Sequence, residues 1–312
     1  MKQTEIVQLK HPRLRLFAKL ESSNMTGSAK ERSAAWILRN AVHAADIVPG
    51  TTVLESSSGN FALSLAAFSR QLDINFIPVI DPNINAQTEH TLRRMCRRVE
   101  MVEARDGTGG FLLSRLARVT ELMNEISFAY WTDQYSNVNG ARGHYELTGA
   151  ELVASLGRID YLFVGVGTGA TINGLSHRVK ESNPNAVVVA VDVVGSAVFG
   201  AAPHRRLIPG LGSSIRPPLI EDAIITDVVT VSEMDQVIGC RRLVREHGIF
   251  AGGSTGGVFI AISRFFENYR GPARVVVFLS MDGGDPYRDT VYNDGWVAAN
   301  LESLSVTAEG TS

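Results

Sequence analysis

Short apolar runs alternate with segments of helical periodicity along almost the whole chain, and this alternation restricts the fold more than any other feature. Strands are predicted at residues 6–9, 16–20, 51–55, 74–80, 99–102, 129–131, 161–164, 186–191, 228–231 and 274–279. Helices are predicted at residues 31–45, 61–70, 88–98, 111–124, 145–156 and 235–247. Two more follow the glycine-rich turns at residues 165–171 and 252–257 and are predicted to end at residues 180 and 269. Such alternation is typical of α/β proteins, so we expect two open, mainly parallel sheets with helices on both faces.

A polar stretch at residues 133–143 separates two α/β blocks and is a predicted domain boundary. We expect a smaller α/β domain at residues 21–142, and a larger one formed by residues 1–20 plus 143–300. The tail at residues 301–312 is rich in Ser, Thr and Glu and is predicted to be disordered.

The composition argues against several classes of protein. A formal net charge of −2 disfavours nucleic acid as the main partner, because polyanion-binding proteins carry a basic excess. No run approaches the ~18 apolar residues that a membrane span needs. Charged side chains interrupt the N-terminal segment, which argues against a signal peptide. A cytoplasmic enzyme or binding protein is therefore expected.

Metal and disulfide chemistry is not indicated. Cys96 and Cys240 lack C-x-x-C spacing. Asp282 and Asp285 lie next to Gly283-Gly284, which predicts a plain turn rather than a metal loop. The histidines show no metal-binding spacing, and we expect all seven on the surface or at helix caps. They are His11, His43, His90, His144, His177, His204 and His247.

A turn of small residues, Gly27-Ser28-Ala29, delivers Lys30 to the start of a predicted helix. Lysine is scarce here, since only five of the 30 basic residues are lysines. Lysine can lose its proton at accessible pH whereas arginine cannot, and the partial positive charge of a helix N-terminus favours the free amine. One hypothesis is that Lys30 forms a Schiff base with an aldehyde cofactor. The alternative is a solvated surface lysine.

The junction at residues 165–171, Gly-Val-Gly-Thr-Gly-Ala-Thr, lies between a predicted strand and a predicted helix. Small residues let backbone N–H groups converge on an anion, and the helix dipole adds to the attraction. The junction also fits the dinucleotide pattern G-x-G-x-x-A, with Asp192 at the end of the next strand. A cofactor monophosphate, a dinucleotide pyrophosphate and a turn without a ligand are therefore open alternatives.

Two further polar turns lie next to predicted helices. The turn Ser57-Ser58-Gly59-Asn60 offers backbone N–H groups to a carboxylate and an amide to a phenolate-type oxygen. In the second turn, at residues 252–257, Ser254 could present a neutral hydroxyl to a ring nitrogen. Both turns are also explained as plain helix N-caps, for which Ser and Asn are preferred. In parallel sheets, ligands bind beyond the carboxyl ends of strands, where such turns lie.

The order of these four segments resembles the fold type II family of pyridoxal-phosphate (PLP) enzymes, which includes cysteine synthase and cystathionine β-synthase. Within it, the likeness is greatest to the N-(2-amino-2-carboxyethyl)-L-glutamate synthases of siderophore and 2,3-diaminopropionate biosynthesis. The likeness covers residues 4–296. It is carried, besides the four segments, by residues 17–21, 102–103, 109–112, 130–135, 190–192, 239–241 and 248–256.

The resemblance implies roles for individual residues. Lys30 corresponds to the Schiff-base lysine that also acts as general base, and Asn60 to the residue that bonds the pyridoxal hydroxyl. The loop that grips the substrate α-carboxylate corresponds to Ser57, Ser58, Gly59 and Asn60. The loop that binds the cofactor phosphate corresponds to Gly167, Thr168, Gly169, Ala170 and Thr171.

The partner of the pyridine nitrogen corresponds to Ser254, with Ser280 and Asp282 as rivals suggested by the cysteine synthase branch. The sequence also departs from the family pattern. Phe61-Ala62 follow Asn60 where the family usually has Thr-Gly, and Ala170 replaces a glycine of the phosphate loop. The segment before residue 4 is shorter than the family's substrate-capping N-terminal region.

The activity implied by the resemblance is β-replacement by a PLP-dependent homodimer acting on small amino-acid substrates. O-phospho-L-serine would lose phosphate, and L-glutamate would add through its amino group to give N-(2-amino-2-carboxyethyl)-L-glutamate. Arg115, Arg142 and Arg216 are candidates for binding the second substrate's carboxylates or the leaving phosphate. The alternatives are cysteine synthase with sulfide, an NAD-dependent dehydrogenase using residues 165–170, and a non-catalytic binding protein with the same fold.

Overall fold

The computed structural model describes residues 1–302 and confirms an α/β architecture with two sheets. The strands are β1 (Ile6–Leu9), β2 (Leu14–Leu20), β3 (Thr52–Ser56), β4 (Asn75–Ile80), β5 (Glu100–Met101), β6 (Ala129–Trp131), β7 (Tyr161–Gly165), β8 (Val187–Val193), β9 (Asp227–Val231) and β10 (Arg274–Ser280). The helices are α1 (Lys30–His43), α2 (Asn60–Gln71), α3 (Ala86–Met95), α4 (Leu112–Glu125), α5 (Val138–Gly143), α6 (Ala150–Leu156), α7 (Ala170–Ser182), α8 (Glu233–His247), α9 (Gly253–Phe265) and α10 (Asp294–Val297).

The larger sheet has the strand order β1-β2-β10-β7-β8-β9, and the smaller sheet has the order β5-β4-β3-β6. All neighbouring strands are parallel except β1 and β2, which are antiparallel. In the larger sheet the chain moves outward from β7 to β9 and then returns to place β10 on the other side of β7. In the smaller sheet it moves from β3 to β5 and returns to place β6 beside β3. Each sheet therefore has a topological switch point, next to β7 and next to β3, where open α/β sheets bind ligands.

The larger sheet is covered on both faces. Along β10, Val276 and Phe278 pack into one apolar cluster, while Val275, Val277 and Leu279 pack into another on the opposite face. Alternate side chains of a strand point to opposite faces, so both faces of β10 are buried. This explains why β7, β8 and β10, which lie inside this sheet, are nearly continuous apolar runs rather than alternating ones.

The polar stretch at residues 133–143 is partly helical in the structure. Asn137 caps α5 by accepting a hydrogen bond from the backbone N–H of Asn139 at 3.0 Å, and α5 continues through a π-helical turn at His144–Gly149 into α6. Gly143 faces α1 so closely that a Cβ atom there would lie 2.6 Å from the carbonyl oxygen of Arg32. Gly143 therefore allows α5 and α1 to pack closely.

The end of the chain also differs from expectation. Leu301 is buried in the apolar cluster that contains Ile208, Val237 and Val297, and it lies in the helical turn Ala298–Glu302. The prediction of disorder is therefore wrong at Leu301, while residues 303–312 lie outside the described residues. Strands of the smaller sheet fall within residues 52–131, but the domain boundaries at 20/21 and 142/143 remain predictions. None of the described helices has the length and apolarity to cross a membrane.

Candidate active site

Lys30 is the first residue of α1 and is held against the carboxyl end of β10. The turn before it contains Gly27 at a φ of +77°, and the backbone N–H of Ala29 donates to the carbonyl oxygen of Met281 at 2.8 Å. Removal from solvent lowers the pKa of Lys30 to about 8, although the Glu55 carboxylate opposes this shift. The sequence predicted a lowered pKa from the helix N-terminus, whereas the structure attributes it to burial.

The Lys30 amine reaches the junction at residues 165–171, which follows β7. Its Nζ donates to the Thr168 hydroxyl at 3.1 Å. Gly169 adopts a φ of +86°, which favours glycine, and it precedes α7 without any side-chain cap on the first backbone N–H groups. The structure thus joins two sequence-predicted segments that lie 138 residues apart.

The turn at residues 57–60 follows β3 and opens α2. The Ser57 hydroxyl accepts from the backbone N–H of Ala62 at 3.2 Å, whereas the Ser58 hydroxyl lies 2.8 Å from the Asp81 carboxylate. Asn60 does not cap its helix, and its side chain donates to Asp282 at 2.8 Å. The N-cap explanation therefore does not account for Asn60.

A sequence profile of the family described as pyridoxal-phosphate dependent enzyme matches residues 1–280. The chain belongs to this family. PLP is therefore its cofactor, and the protein is an enzyme. The dehydrogenase and the non-catalytic binding protein are accordingly not retained as alternatives.

Several solved enzyme structures share this fold. An O-acetylserine dependent cystathionine β-synthase from Helicobacter pylori superposes with a TM-score of 0.86 at 23% identity, covering 93% of this chain and 95% of that one. A hydrogen sulfide-producing enzyme from Fusobacterium nucleatum has a TM-score of 0.85 at 25% identity, with 91% and 96% covered. An O-ureido-L-serine synthase has a TM-score of 0.84 at 26% identity, with 95% and 96% covered.

The chemistry of the residues around Lys30 fits an aldehyde cofactor that carries a phosphate. The amine has a pKa of about 8, so a usable fraction is deprotonated near neutral pH. The uncapped N-terminus of α7, a helix of 13 residues, offers backbone N–H groups and a partial positive charge to an anion. Because the Thr168 hydroxyl bonds Nζ directly, the amine and the anion-binding turn belong to one site.

Three side chains were predicted as rivals for the pyridine nitrogen, and all lie in one region. Ser254 is buried near the start of α9, which lacks a side-chain cap. Ser280 ends β10, and its buried hydroxyl has no hydrogen-bond partner among the described residues. Asp282 bonds Asn60 and accepts from the Tyr287 hydroxyl at 2.9 Å. Which of the three faces the ring remains a prediction.

Of the three candidate arginines, the structure brings Arg115 to the turn at residues 57–60. Its guanidinium donates to the Ser58 hydroxyl at 2.8 Å and pairs with Asp81 at 3.0 Å, with a side chain only 13% exposed. Arg142 is 56% exposed and pairs with Glu146, and Arg216 is 46% exposed and pairs with Glu221. The latter two lie on helix or loop surfaces and bond none of the residues predicted for the site.

Sequence reasoning did not single out Glu55, a fully buried carboxyl in β3. It accepts hydrogen bonds from the Thr132 hydroxyl at 2.5 Å and from the side chain of Gln134 at 3.4 Å. Burial raises the pKa of Glu55 to about 7, while these donors oppose the rise. An acidic residue inside an apolar strand was the available signal, because buried Glu is rare unless it has a specific partner.

The expectation that every histidine lies on the surface or at a cap is wrong for His144. Its ring is fully buried between the hydroxyls of Thr171, at 3.1 Å, and Thr148, at 3.0 Å. Burial lowers the pKa of His144 to about 3, so the imidazole is neutral. It thereby fixes the Thr171 side chain at the start of α7.

Proposed function

We propose that the enzyme catalyses β-replacement on O-phospho-L-serine with L-glutamate, giving N-(2-amino-2-carboxyethyl)-L-glutamate and phosphate. In the overall reaction the Cβ–O bond breaks with its electrons leaving on phosphate. A bond forms between Cβ and the glutamate nitrogen, which loses one proton. The observation that carries the choice of donor is Arg115, a little-exposed cation bonded to the Ser58 hydroxyl in the predicted substrate turn.

We assign the cofactor site to Lys30, Asn60, Ser254 and the turn from Gly167 through Thr168, Gly169 and Ala170 to Thr171. When bound, PLP supplies an electron sink that acidifies the α-carbon of an attached amino acid. Lys30 carries the cofactor in the resting enzyme. It then takes the substrate α-proton on Nζ, for which its lowered pKa of about 8 is well matched. The Thr168 hydroxyl orients Nζ by accepting its hydrogen bond.

The substrate turn holds the amino acid through main-chain donors. Since the Ser58 hydroxyl donates to Asp81 and the backbone N–H of Ser57 donates to the Val79 carbonyl oxygen, the backbone N–H groups of residues 58–60 are the donors we assign to the α-carboxylate. The Arg115 guanidinium, fixed by Asp81, stabilises the negative charge that develops on the departing phosphate.

Cysteine synthesis from sulfide is a second candidate; it is the reverse of the sulfide release that names one structural relative at 25% identity, a hydrogen sulfide-producing enzyme. Cysteine synthesis and the proposed glutamate reaction differ in the nucleophile, but both begin with loss of the β-substituent from the serine derivative. Another structural relative, at 26% identity, is named for making a different β-substituted serine, O-ureido-L-serine.

Purified enzyme with PLP should be given O-phospho-L-serine or O-acetyl-L-serine, each with L-glutamate or sulfide, and the products identified by mass spectrometry. We expect O-phospho-L-serine with L-glutamate to give the glutamate adduct and a stoichiometric amount of phosphate. Lys30→Ala should abolish product formation and the borohydride-stable attachment of cofactor to the peptide containing residue 30. If cysteine were the sole product, sulfide would replace L-glutamate as the assigned nucleophile. If borohydride fixed the cofactor to another peptide, Lys30 would be rejected as the residue that carries it.

A further inference from the structure

Asp282 lies where three parts of the site meet. It follows β10 by two residues, forms an isolated bridge with Ser28 next to the Lys30 turn, and its carbonyl oxygen accepts from the backbone N–H of Gly252 at 3.2 Å. Its side chain is buried, with the residue 5% exposed. A Cβ atom on Gly252 would lie 2.1 Å from the Asp282 Oδ1 atom, so the glycine leaves space for this carboxylate.

The carboxylate determines which end of the Asn60 amide faces it. Oδ2 of Asp282 accepts from Asn60 Nδ2 at 2.8 Å and from the Tyr287 hydroxyl at 2.9 Å. An ionised carboxylate can only accept hydrogen bonds, whereas an amide group has one donor end and one acceptor end. Asn60 must therefore turn its NH₂ group toward Asp282.

We propose that Asp282 is a positioning residue that fixes the Asn60 amide so that its second N–H is available to the cofactor's phenolic oxygen. One hydrogen of the NH₂ group bonds Asp282, and the other remains free to donate. The charge of the carboxylate also strengthens the polarity of that amide. The inference rests on the assignment of Asn60 in the proposed function, but not on the identity of either substrate.

Protonation of Asp282 would release this control, because a carboxylic acid can donate to the amide oxygen. Burial raises the pKa of Asp282 to about 6, while the bonds from Tyr287 and Asn60 oppose the rise. The other titratable groups that interact with it are Tyr287, Cys240 and Tyr292, and the pKa of each is raised by burial. Within this group, Asp282 is thus the residue that titrates near pH 6.

The test compares holoenzymes by equilibrium dialysis of PLP and by visible absorption across pH. We expect Asp282→Asn to weaken PLP binding about tenfold at neutral pH, as for the loss of a charge-assisted hydrogen bond. The matched control is Asp160→Asn, which alters a carboxylate at the opposite end of β10, bonded to the backbone N–H of Val275 at 2.8 Å. That control should change PLP affinity less than about twofold.

The decisive comparison uses Asn60→Ala. If Asp282 acts through Asn60, adding Asp282→Asn to Asn60→Ala should weaken PLP binding less than about twofold further. An equal loss in both backgrounds would overturn the inference. If circular dichroism shows that Asp282→Asn does not fold, the pH dependence of PLP affinity in the wild type and in Asn60→Ala still tests the inference. A step in PLP affinity near pH 6 that disappears in Asn60→Ala supports the inference, and a step that persists there, or its absence from the wild type, refutes it.

Discussion

Two oppositely charged groups at the site have pKa values that burial brings close together. Burial raises the pKa of Glu55 to about 7 and lowers that of Lys30 to about 8. The Glu55 carboxylate is also the group that raises the Lys30 pKa against the effect of burial. The charge of one residue therefore influences the proton affinity of the other near neutral pH.

Replacing Glu55 with Gln should lower the Lys30 pKa further, because the variant removes the anion that favours the ammonium form. The pH midpoint for borohydride-trapped attachment of PLP should move to lower pH than in the wild type. Glu100→Gln is the control, since Glu100 pairs with Arg98 and Arg118 on the surface. An unchanged midpoint in Glu55→Gln would show that the two groups do not interact.

Arg115→Gln should raise the KM for O-phospho-L-serine about tenfold, while the KM for O-acetyl-L-serine should change little. The reason is that only the phosphate donor presents a dianion to the guanidinium. Steady-state kinetics with both donors measure the ratio of the KM of Arg115→Gln to that of the wild type. Arg142→Gln, a change at the exposed arginine beside Glu146, should leave both values near those of the wild type. A parallel rise for both donors would remove Arg115 from phosphate recognition.

At the scale of single elements, α5 shows where glycine is needed for packing. A Cβ on Gly143 would come within 2.6 Å of the Arg32 carbonyl oxygen in α1. A Cβ on Gly140 would meet Ile37, Ala170 and Ser33 at 3.5 to 3.7 Å, which is ordinary contact. The same helix therefore contains one glycine that packing requires and one that it does not.

Gly143→Ala should destabilise the protein by about 1–3 kcal/mol, because the added methyl forces α5 away from the helix that begins with Lys30. Gly140→Ala should be close to neutral, since alanine is the better helix former and no close contact opposes it. Denaturant unfolding of both variants gives the comparison. Equal free energies of unfolding would mean that α1 and α5 separate at little cost.

Local sequence features predicted the elements well and the contacts between them poorly. Most strands were found from apolar runs, whereas the role of Lys30, inferred from its scarce residue type after a small-residue turn, stays a prediction. The contacts Asn60–Asp282 and Arg115–Ser58 join residues 222 and 57 positions apart, which no local pattern encodes. His144 was misplaced for the same reason, because its partner Thr171 comes from another helix.

At the scale of the whole molecule, a buried ion network joins β2, α1 and α6. Arg32 bonds Glu21 at 3.1 Å and Glu151 at 2.8 Å, and Lys19 bonds Glu151 at 2.6 Å. The side chains of Lys19, Glu21 and Arg32 are fully buried. Breaking such a network leaves an unpaired buried charge, which typically costs about 3–5 kcal/mol.

Glu21→Gln should therefore lower the free energy of unfolding at pH 7 by about 3 kcal/mol. Burial alone would raise the Glu21 pKa, but Arg32, Thr4 and Lys19 outweigh it and hold the pKa below its usual 4.5. A lowered carboxyl pKa contributes stability above pH 4.5 that is lost as the pH falls through the folded-state value. The wild type should thus lose stability in acid more steeply than Glu21→Gln.

Thermal unfolding between neutral and acid pH measures both effects. Glu246→Gln is the surface control, because Glu246 pairs with Arg242 at a partly exposed site and such pairs are worth about 0–1 kcal/mol. Parallel acid profiles for the wild type and Glu21→Gln would exclude a stabilising role for the Glu21 charge.

The predicted homodimer is tested by light scattering of the wild type, which measures the molar mass in solution.

The last strand of the described residues, β10, occupies an interior place in its sheet. β10 lies between β2, from the start of the chain, and β7, from its middle. A nascent chain still attached to the ribosome before residue 274 has been synthesised leaves the backbone edges of β2 and β7 unpaired. Such edges invite aggregation, so we expect chaperones to engage this protein late in synthesis, whereas the strands at residues 52–131 can pair much earlier.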